Sequence, residues 1–297
     1  MKSALTLLSL PLLMGACAST GGGAGGATSS GPGAPAISEA GGLPAGYSLV
    51  WADEFDKDGL PDPSKWAYDT DRNAPGWYNN EKQYYAASRE KNSRVEKGNL
   101  IIEAHKEDLD RAQYSDWGGQ HYTSARLVTR GKAQWTYGFM EVRAKLPCGV
   151  GTWPAIWTLS APPKTQWPDD GEIDIMEHVG FDQGVVHGSV HTKSYYHVMK
   201  THKTAQTQIA DLCENFHRYQ LTWTPDRITI GVDDKNFFQF SNDHSGERPN
   251  WPFDKPQYLL LNIAVGGDWG GMKGVDDKVY PVRMAVDYVR VYQKAGQ

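Results

Sequence analysis

Between Tyr47 and Gln293 the chain is built from short runs in which apolar and polar residues alternate, broken by Gly, Pro, Asn and Asp. Phe139-Met140-Glu141-Val142-Arg143-Ala144-Lys145-Leu146 alternates over its whole length, as does Tyr219-Gln220-Leu221-Thr222-Trp223. Leu100-Ile101-Ile102-Glu103-Ala104 follows a Gly98-Asn99 turn, and Arg227 to Val232 follows Pro225-Asp226. Val286-Asp287-Tyr288-Val289-Arg290-Val291-Tyr292 closes the pattern. A period of two in β-branched and aromatic residues predicts strands, each with one face toward a core. No amphipathic run longer than two or three helical turns intervenes. Strands without helical crossovers exclude a parallel α/β sheet and predict an all-β sandwich or jelly roll. The absence of a fixed repeat argues against a propeller.

The N-terminal segment follows different rules. Lys2, an apolar run from Ala4 to Met14 and the small residues Gly15-Ala16-Cys17-Ala18 form an export signal too short to span a bilayer. Two cleavage readings stand. LLMGAC resembles a lipobox with Met14 where Leu is usual, which would make Cys17 a lipidated N-terminus; cleavage after Ala16-x-Ala18 would discard Cys17. From there to about residue 45 the chain is Gly, Ser, Thr, Ala and Pro, too poor in apolar residues to fold, and reads as a tether. The expected organisation is a signal at 1–16, a tether at 17–45 and one domain at 46–297, on an exported and membrane-anchored, periplasmic or secreted protein. A monomer is expected.

Composition narrows the partners. Lys+Arg 30 against Asp+Glu 35 gives a net charge of -5, without the basic field that nucleic-acid binding requires. Trp 11 and Tyr 15 are high counts for a polar chain, and point to flat aromatic surface facing outward or to a large aromatic core. Cys148 and Cys213 form an even pair in an oxidising compartment, where a disulfide and two buried thiols are both open readings.

The chemistry concentrates in Gly171-Glu172-Ile173-Asp174-Ile175-Met176-Glu177-His178. On a strand, Glu172 and Asp174 share one face while Ile173 and Ile175 take the other. Strict alternation would then bury Glu177, a costly placement for a charge. A β-bulge near Ile175–Met176 would return it to the acidic face. Three like charges on one strand face repel and raise one another's pKa values, so structure alone does not favour them. Retaining glycoside hydrolysis does require such a set: one carboxylate as nucleophile and one carboxyl as acid/base, about 5 Å apart.

The surrounding segments resemble glycoside hydrolase family 16, within it the bacterial laminarinase-like endo-1,3-β-glucanases. The resemblance rests on WADEF at 51–55, NNEKQYY at 79–85, YTSARL at 122–127, YGFMEVR at 137–143, GTWPAIW at 151–157, GEIDIMEHVG at 171–180, HGSVH at 187–191 and LNIAVGGDW at 261–269, in family order. It implies a β-jelly roll of two curved antiparallel sheets with a concave substrate cleft. It also implies Glu172 as nucleophile, Asp174 as its supporting acid and Glu177 as acid/base, acting on β-glucan with no catalytic cofactor. The bulged spacing resembles that of laminarinases, agarases and carrageenases rather than lichenases. Mixed-linkage glucan, agar or carrageenan as substrate, transglycosylation and non-catalytic glucan binding are the rival readings.

Trp153 and Trp157, four apart, share a strand face, and aromatic rings stack on pyranose faces. Trp269 follows a Gly-Gly turn and is placed at the cleft border; Trp51, Trp66 and Trp223 read as core. By resemblance Asn80, Glu81 and Arg126 bind sugar, and His191 sits beside the acid/base. His187 and His191 lack the helical spacing of a zinc hydrolase. The resemblance further implies a structural calcium on the convex face, with oxygens from Glu54, Gly98 and Asp287.

Overall fold

The computed structural model describes residues 42–161 and 166–296. The signal, most of the tether and Cys17 lie outside the described residues. The strands are β1 (Tyr47–Asp53), β2 (Ala67–Tyr68), β3 (Gln83–Tyr85), β4 (Ser93–Glu96), β5 (Asn99–Lys106), β6 (Tyr122–Ser124), β7 (Arg126–Val128), β8 (Gly138–Lys145) and β9 (Thr152–Ser160). They continue as β10 (Glu172–Glu177), β11 (Val185–His191), β12 (Lys203–Gln208), β13 (His217–Trp223), β14 (Arg227–Val232), β15 (Lys235–Ser241), β16 (Gln257–Val265) and β17 (Val282–Lys294). Among the described residues the helical elements are short 3₁₀ turns. Two sheets result. A seven-stranded one runs β12-β11-β10-β9-β16-β7-β2, and a ten-stranded one runs β15-β14-β13-β8-β17-β5-β6-β3 with β1 on β17 and β4 on β5. Pairing is antiparallel throughout these ladders except where β3 runs parallel to β6. The all-β two-sheet sandwich expected from the alternation is the fold observed.

The core lies between the sheets. Ile173, Ile175, Leu259, Leu261 and Ile263 enter it from the seven-stranded sheet, and Met140, Val142, Leu221, Trp223, Val289 and Val291 from the ten-stranded one. Strand β16 is buried along its whole length, so its run Gln257-Tyr258-Leu259-Leu260-Leu261-Asn262-Ile263-Ala264-Val265 hides a period of two. Odd positions Leu259 to Val265 pack into the core. Tyr258, Asn262 and Ala264 face the opposite way and line a cleft. Strand β9 repeats the arrangement: Ile156 enters the core while Trp153, Ala155, Trp157 and Leu159 line the cleft. Trp66 and Trp223 are buried in the core and Trp51 packs against it.

The bulge is present and it centres on Ile175. Along β9 the register steps from Asp174↔Trp157 to Met176↔Ile156, and along β11 from Asp174↔Ser189 to Glu177↔His187. Ile175 and Met176 are both fully buried in the core, so two consecutive residues point inward. Glu177 thereby returns to the face that carries Glu172 and Asp174.

The segment after the bulge is held by close backbone approach. The Gly180 amide donates to the Thr152 carbonyl at 2.9 Å. A Cβ on Gly180 would lie 1.7 Å from the carbonyl oxygen of Gly149 and 2.5 Å from Thr152 Oγ1. Gly180→Ala is therefore expected to destabilise the domain by about 1–3 kcal/mol through overpacking, measured by urea unfolding. Because that strain falls on the segment carrying Glu177, activity should drop beyond the folded fraction.

Candidate active site

The outer face of the seven-stranded sheet forms the floor of a cleft of about 740 Å³. Glu172, Asp174 and Glu177 all open into it, together with Glu81, Arg126, Trp153 and Trp157. Each of the two glutamates receives a neutral indole donor. Trp167 Nε1 donates to Glu172 Oε2 at 2.6 Å, and Trp153 Nε1 donates to Glu177 Oε1 at 3.0 Å. Asp174 is buried between them, with His191 Nε2 3.3 Å from its Oδ2. That oxygen has no aligned hydrogen-bond donor.

Burial and crowding move all three acids toward the protonated form. Burial first, and then the Asp174 charge, pushes Glu172 up to about 8. Burial also pushes Glu177 up to about 7, against the pull of His191, with the Glu172 charge adding to the rise. Asp174 is raised well above the usual carboxylate range by burial and then by Glu177. Glu81 rises too through burial, opposed by its bond from Gln83 Nε2 at 2.9 Å and by Arg126. The site therefore keeps protonated carboxyl near neutral pH, as an acid catalyst requires.

Away from the acids, Arg126 lies between the rings of Trp77 and Trp157, 5.1 and 4.6 Å from their centroids, with Asp69 3.0 Å from its Nε. Trp157 Nε1 donates to Asn262 Oδ1 at 2.7 Å, and Asn262 Nδ2 donates to the Tyr85 hydroxyl at 3.0 Å. These bonds fix the ring of Trp157 as a wall, leaving its face to the cleft.

Three of the expected sugar-binding residues, Asn80, Trp269 and His191, are not among those lining the cleft. Asn80 turns its amide to Asp268 Oδ1 at 2.8 Å, and its neighbour Asn79 is the one that lines the cleft. Both have left-handed backbone, which swings the two side chains apart. Trp269 packs edge-on against Trp153 at 5.4 Å and buttresses it. His191 faces Glu172 across the β10–β11 ladder, reaches Asp174, and acts on Glu177 through charge. His187 meets the Trp269 ring at 4.9 Å, so the two histidines serve different neighbours.

Two of the expected calcium donors, Glu54 and Asp287, have their carboxylates in ion pairs. Glu54 is held by Arg290 through two bonds of 2.8 Å, and Asp287 pairs with Arg143 at 2.6 Å. Each carboxylate faces a guanidinium, so a cation using those side chains would share them with an arginine. Cys148 and Cys213 are joined as a disulfide, with Cα atoms 5.8 Å apart.

Trp167 was not among the residues the sequence singled out, although it contacts Glu172. It stands in the Gln166-Trp167-Pro168-Asp169-Asp170 loop, and a large exposed aromatic in such a polar stretch five residues before an acid was the available signal. Asn262, hidden in an apolar run, carried none.

A β-sandwich whose cleft holds clustered carboxyls between aromatic walls has the make-up of a glycoside hydrolase. The comparisons agree. The family model of Glycosyl hydrolases family 16 matches residues 80–290. A beta-glucanase of Rhodothermus marinus is 51% identical over 257 residues, covering 83% of this chain and 85% of the relative. A non-specific endo-β-1,3(4)-glucanase of family 16, solved with 1,3-β-D-cellobiosyl-glucose at its active site, is 55% identical. It superimposes with a TM-score of 0.84 over 86% of this chain and 98% of its own. The laminarinase of Rhodothermus marinus superimposes with a TM-score of 0.78 at 50% identity, over 83% of this chain and 97% of its own. The chain belongs to glycosyl hydrolase family 16.

The raised acids tie stability to pH. A carboxyl whose folded pKa exceeds its unfolded value stabilises the fold fully below the unfolded value, and that contribution is lost as pH rises through the folded one. For Glu172 and Glu177 the loss runs from the ordinary value of 4.5 to about 7–8. Thermal scans should show the wild-type melting temperature falling across that window. Glu172→Gln, which removes one charge and keeps an acceptor for Trp167, should fall less and be the more stable protein at pH 8.5.

Proposed function

We propose that the enzyme is a retaining endo-β-glucanase that hydrolyses 1,3-β-linkages in laminarin-type glucan and also accepts mixed 1,3-1,4-linked glucan. The observation that carries this reading is the bulged strand that presents Glu172, Asp174 and Glu177 together in an aromatic cleft. The relatives' substrates support the choice of glucan.

The two glutamates titrate as a pair, and the reactive form is the one with Glu172 ionised and the proton on Glu177. In the first step the Glu172 carboxylate attacks the anomeric carbon as the glycosidic bond breaks, and the leaving oxygen takes the proton of Glu177. This yields a glycosyl ester on Glu172, a free glucan end and a Glu177 carboxylate. In the second step Glu177 takes a proton from water, the hydroxide oxygen bonds to the anomeric carbon, and the ester bond breaks to restore the Glu172 carboxylate. Two inversions retain the β-configuration. Asp174 shares hydrogen-bonding contact with Glu172 and modulates its charge through the cycle. Trp153 orients Glu177 by donating to one oxygen and leaving the other for the leaving group.

Reducing-end release should be strong on laminarin, present on mixed-linkage glucan and absent on agarose. Glu172→Gln and Glu177→Gln should each lower kcat/KM on laminarin by about 10³-fold or more. Agarose cleavage alone would replace the substrate, and unchanged activity in Glu172→Gln would remove its role as nucleophile. Proton NMR during the first minutes should show the β-anomer forming first; an initial α-anomer would exclude retention. The pH dependence of kcat/KM should be bell-shaped, with both limbs belonging to the pair of glutamates and lying nearer neutrality than for ordinary carboxyls.

Export and lipid anchoring through Cys17 belong to the same proposal, supported by the composition of residues 1–45. Mass spectrometry of the mature N-terminus reads them: a diacylated Cys17 supports the anchor, and an unmodified Ser19 removes it.

A further inference from the structure

Behind the acid/base, on the side away from the cleft, His178 is fully buried immediately after Glu177. Its Nδ1 lies 3.0 Å from the Val185 carbonyl oxygen, a partner that can only accept, so Nδ1 carries the proton and Nε2 presents a lone pair. That Nε2 is buried and has no hydrogen-bond partner. The imidazole has sulfur within reach. The Cys148 and Cys213 sulfurs and a ring nitrogen of His178 lie within 4.8 Å of one another. A buried imidazole, oriented through its far nitrogen by a backbone carbonyl and with nothing to bond on the near one, is the arrangement that metal-ligating histidines adopt.

We propose that the Cys148–Cys213 pair is a redox-gated metal site, which on reduction binds a divalent zinc-type ion through both thiolates and His178 Nε2. In the gating step a dithiol reductant gives two electrons and two protons to the disulfide and itself becomes a disulfide. The sulfur–sulfur bond breaks and two thiols form. Metal binding then releases both thiol protons to solvent. Zinc takes sulfur at about 2.3 Å and nitrogen at about 2.0–2.1 Å, so tetrahedral donors stand roughly 3.4–3.8 Å apart. The three donors lie within 4.8 Å of one another, so the metal would draw the imidazole and sulfurs together while the two sulfurs part. Water fills the fourth position, because both cysteines are only partly buried.

The location gives the site a consequence. Four residues separate Cys148 from Trp153, whose indole holds Glu177, and Gly180 is hydrogen-bonded to Thr152 in that same segment. The disulfide ties the Trp153 segment to the loop after β12. The metal would tie both to the residue adjoining Glu177 as well, so the two states constrain the acid/base from different sides.

Cobalt(II) titration of the full chain, after phosphine reduction and anaerobic removal of the phosphine, tests the proposal. Reduced protein should bind one cobalt per chain, with visible bands of tetrahedral intensity and near-ultraviolet thiolate-to-cobalt charge transfer. Zinc should displace the cobalt, and oxidised protein should show neither feature. Cys213→Ser should lose most of the charge transfer, and His178→Gln should weaken binding by more than about tenfold. X-ray absorption on wild-type protein counts the donors independently of whether His178→Gln folds; two sulfurs and at least one nitrogen are expected. No cobalt uptake by reduced protein, loss of the fold on reduction by circular dichroism, or equal affinity in folded His178→Gln would each overturn the site. An octahedral spectrum without charge transfer would overturn it too, placing the ion instead at Glu172, Asp174 and His191, which also stand within 4.8 Å of one another.

Discussion

Repulsion among three carboxyls on one short strand is the constraint around which the rest of this molecule is organised. Glu172, Asp174 and Glu177 sit in a cleft floor with little water to screen them, and each is pushed toward its neutral form by burial and by its neighbours. Bringing the third acid to that face requires the strand to break its own period at Ile175. The bulge is stable because both inward residues it creates, Ile175 and Met176, are apolar and fill the space between the sheets. Core packing below thus offsets electrostatic strain above, and the two faces of one strand meet opposite demands.

The groups that hold the acids are chosen for lack of charge. Trp167 and Trp153 each donate one N–H to a glutamate, which orients the carboxyl without an ion pair. A lysine or arginine there would pull the pKa down and leave no proton to give at neutral pH. Of the arginines lining the cleft, Arg126 is kept between two indoles and answered by Asp69. Its plane extends the aromatic wall while its charge is met locally. Buttressing runs outward from there, with Trp269 behind Trp153, and Asn262 and Tyr85 behind Trp157.

The alternating strands, the shared face of Trp153 and Trp157, and the need for a bulge within EIDIME were legible because strand side chains obey a local period. The same logic was blind where both faces are buried. Asn262 sits in β16 among residues that are all buried, and nothing in the run marks it as facing a cleft. The resemblance singled out Asn80, whereas Asn79 lines the cleft and Asn80 bonds Asp268, both with left-handed backbone. His191 was expected beside the acid/base; its charge does act on Glu177, and the β10–β11 register also sets it opposite Glu172 and against Asp174.

The sequence by itself determined the all-β class, the strand that carries the acids and the identity of those acids, since each depends on residues a few positions apart. Only the tertiary structure decided which donor holds which carboxyl, that the arginines occupy Glu54 and Asp287, and that His178 faces the two cysteines. Those are contacts between segments distant in the chain, Cys148 and Cys213 being 65 residues apart. Sheet order and register set them, and no local period encodes sheet order.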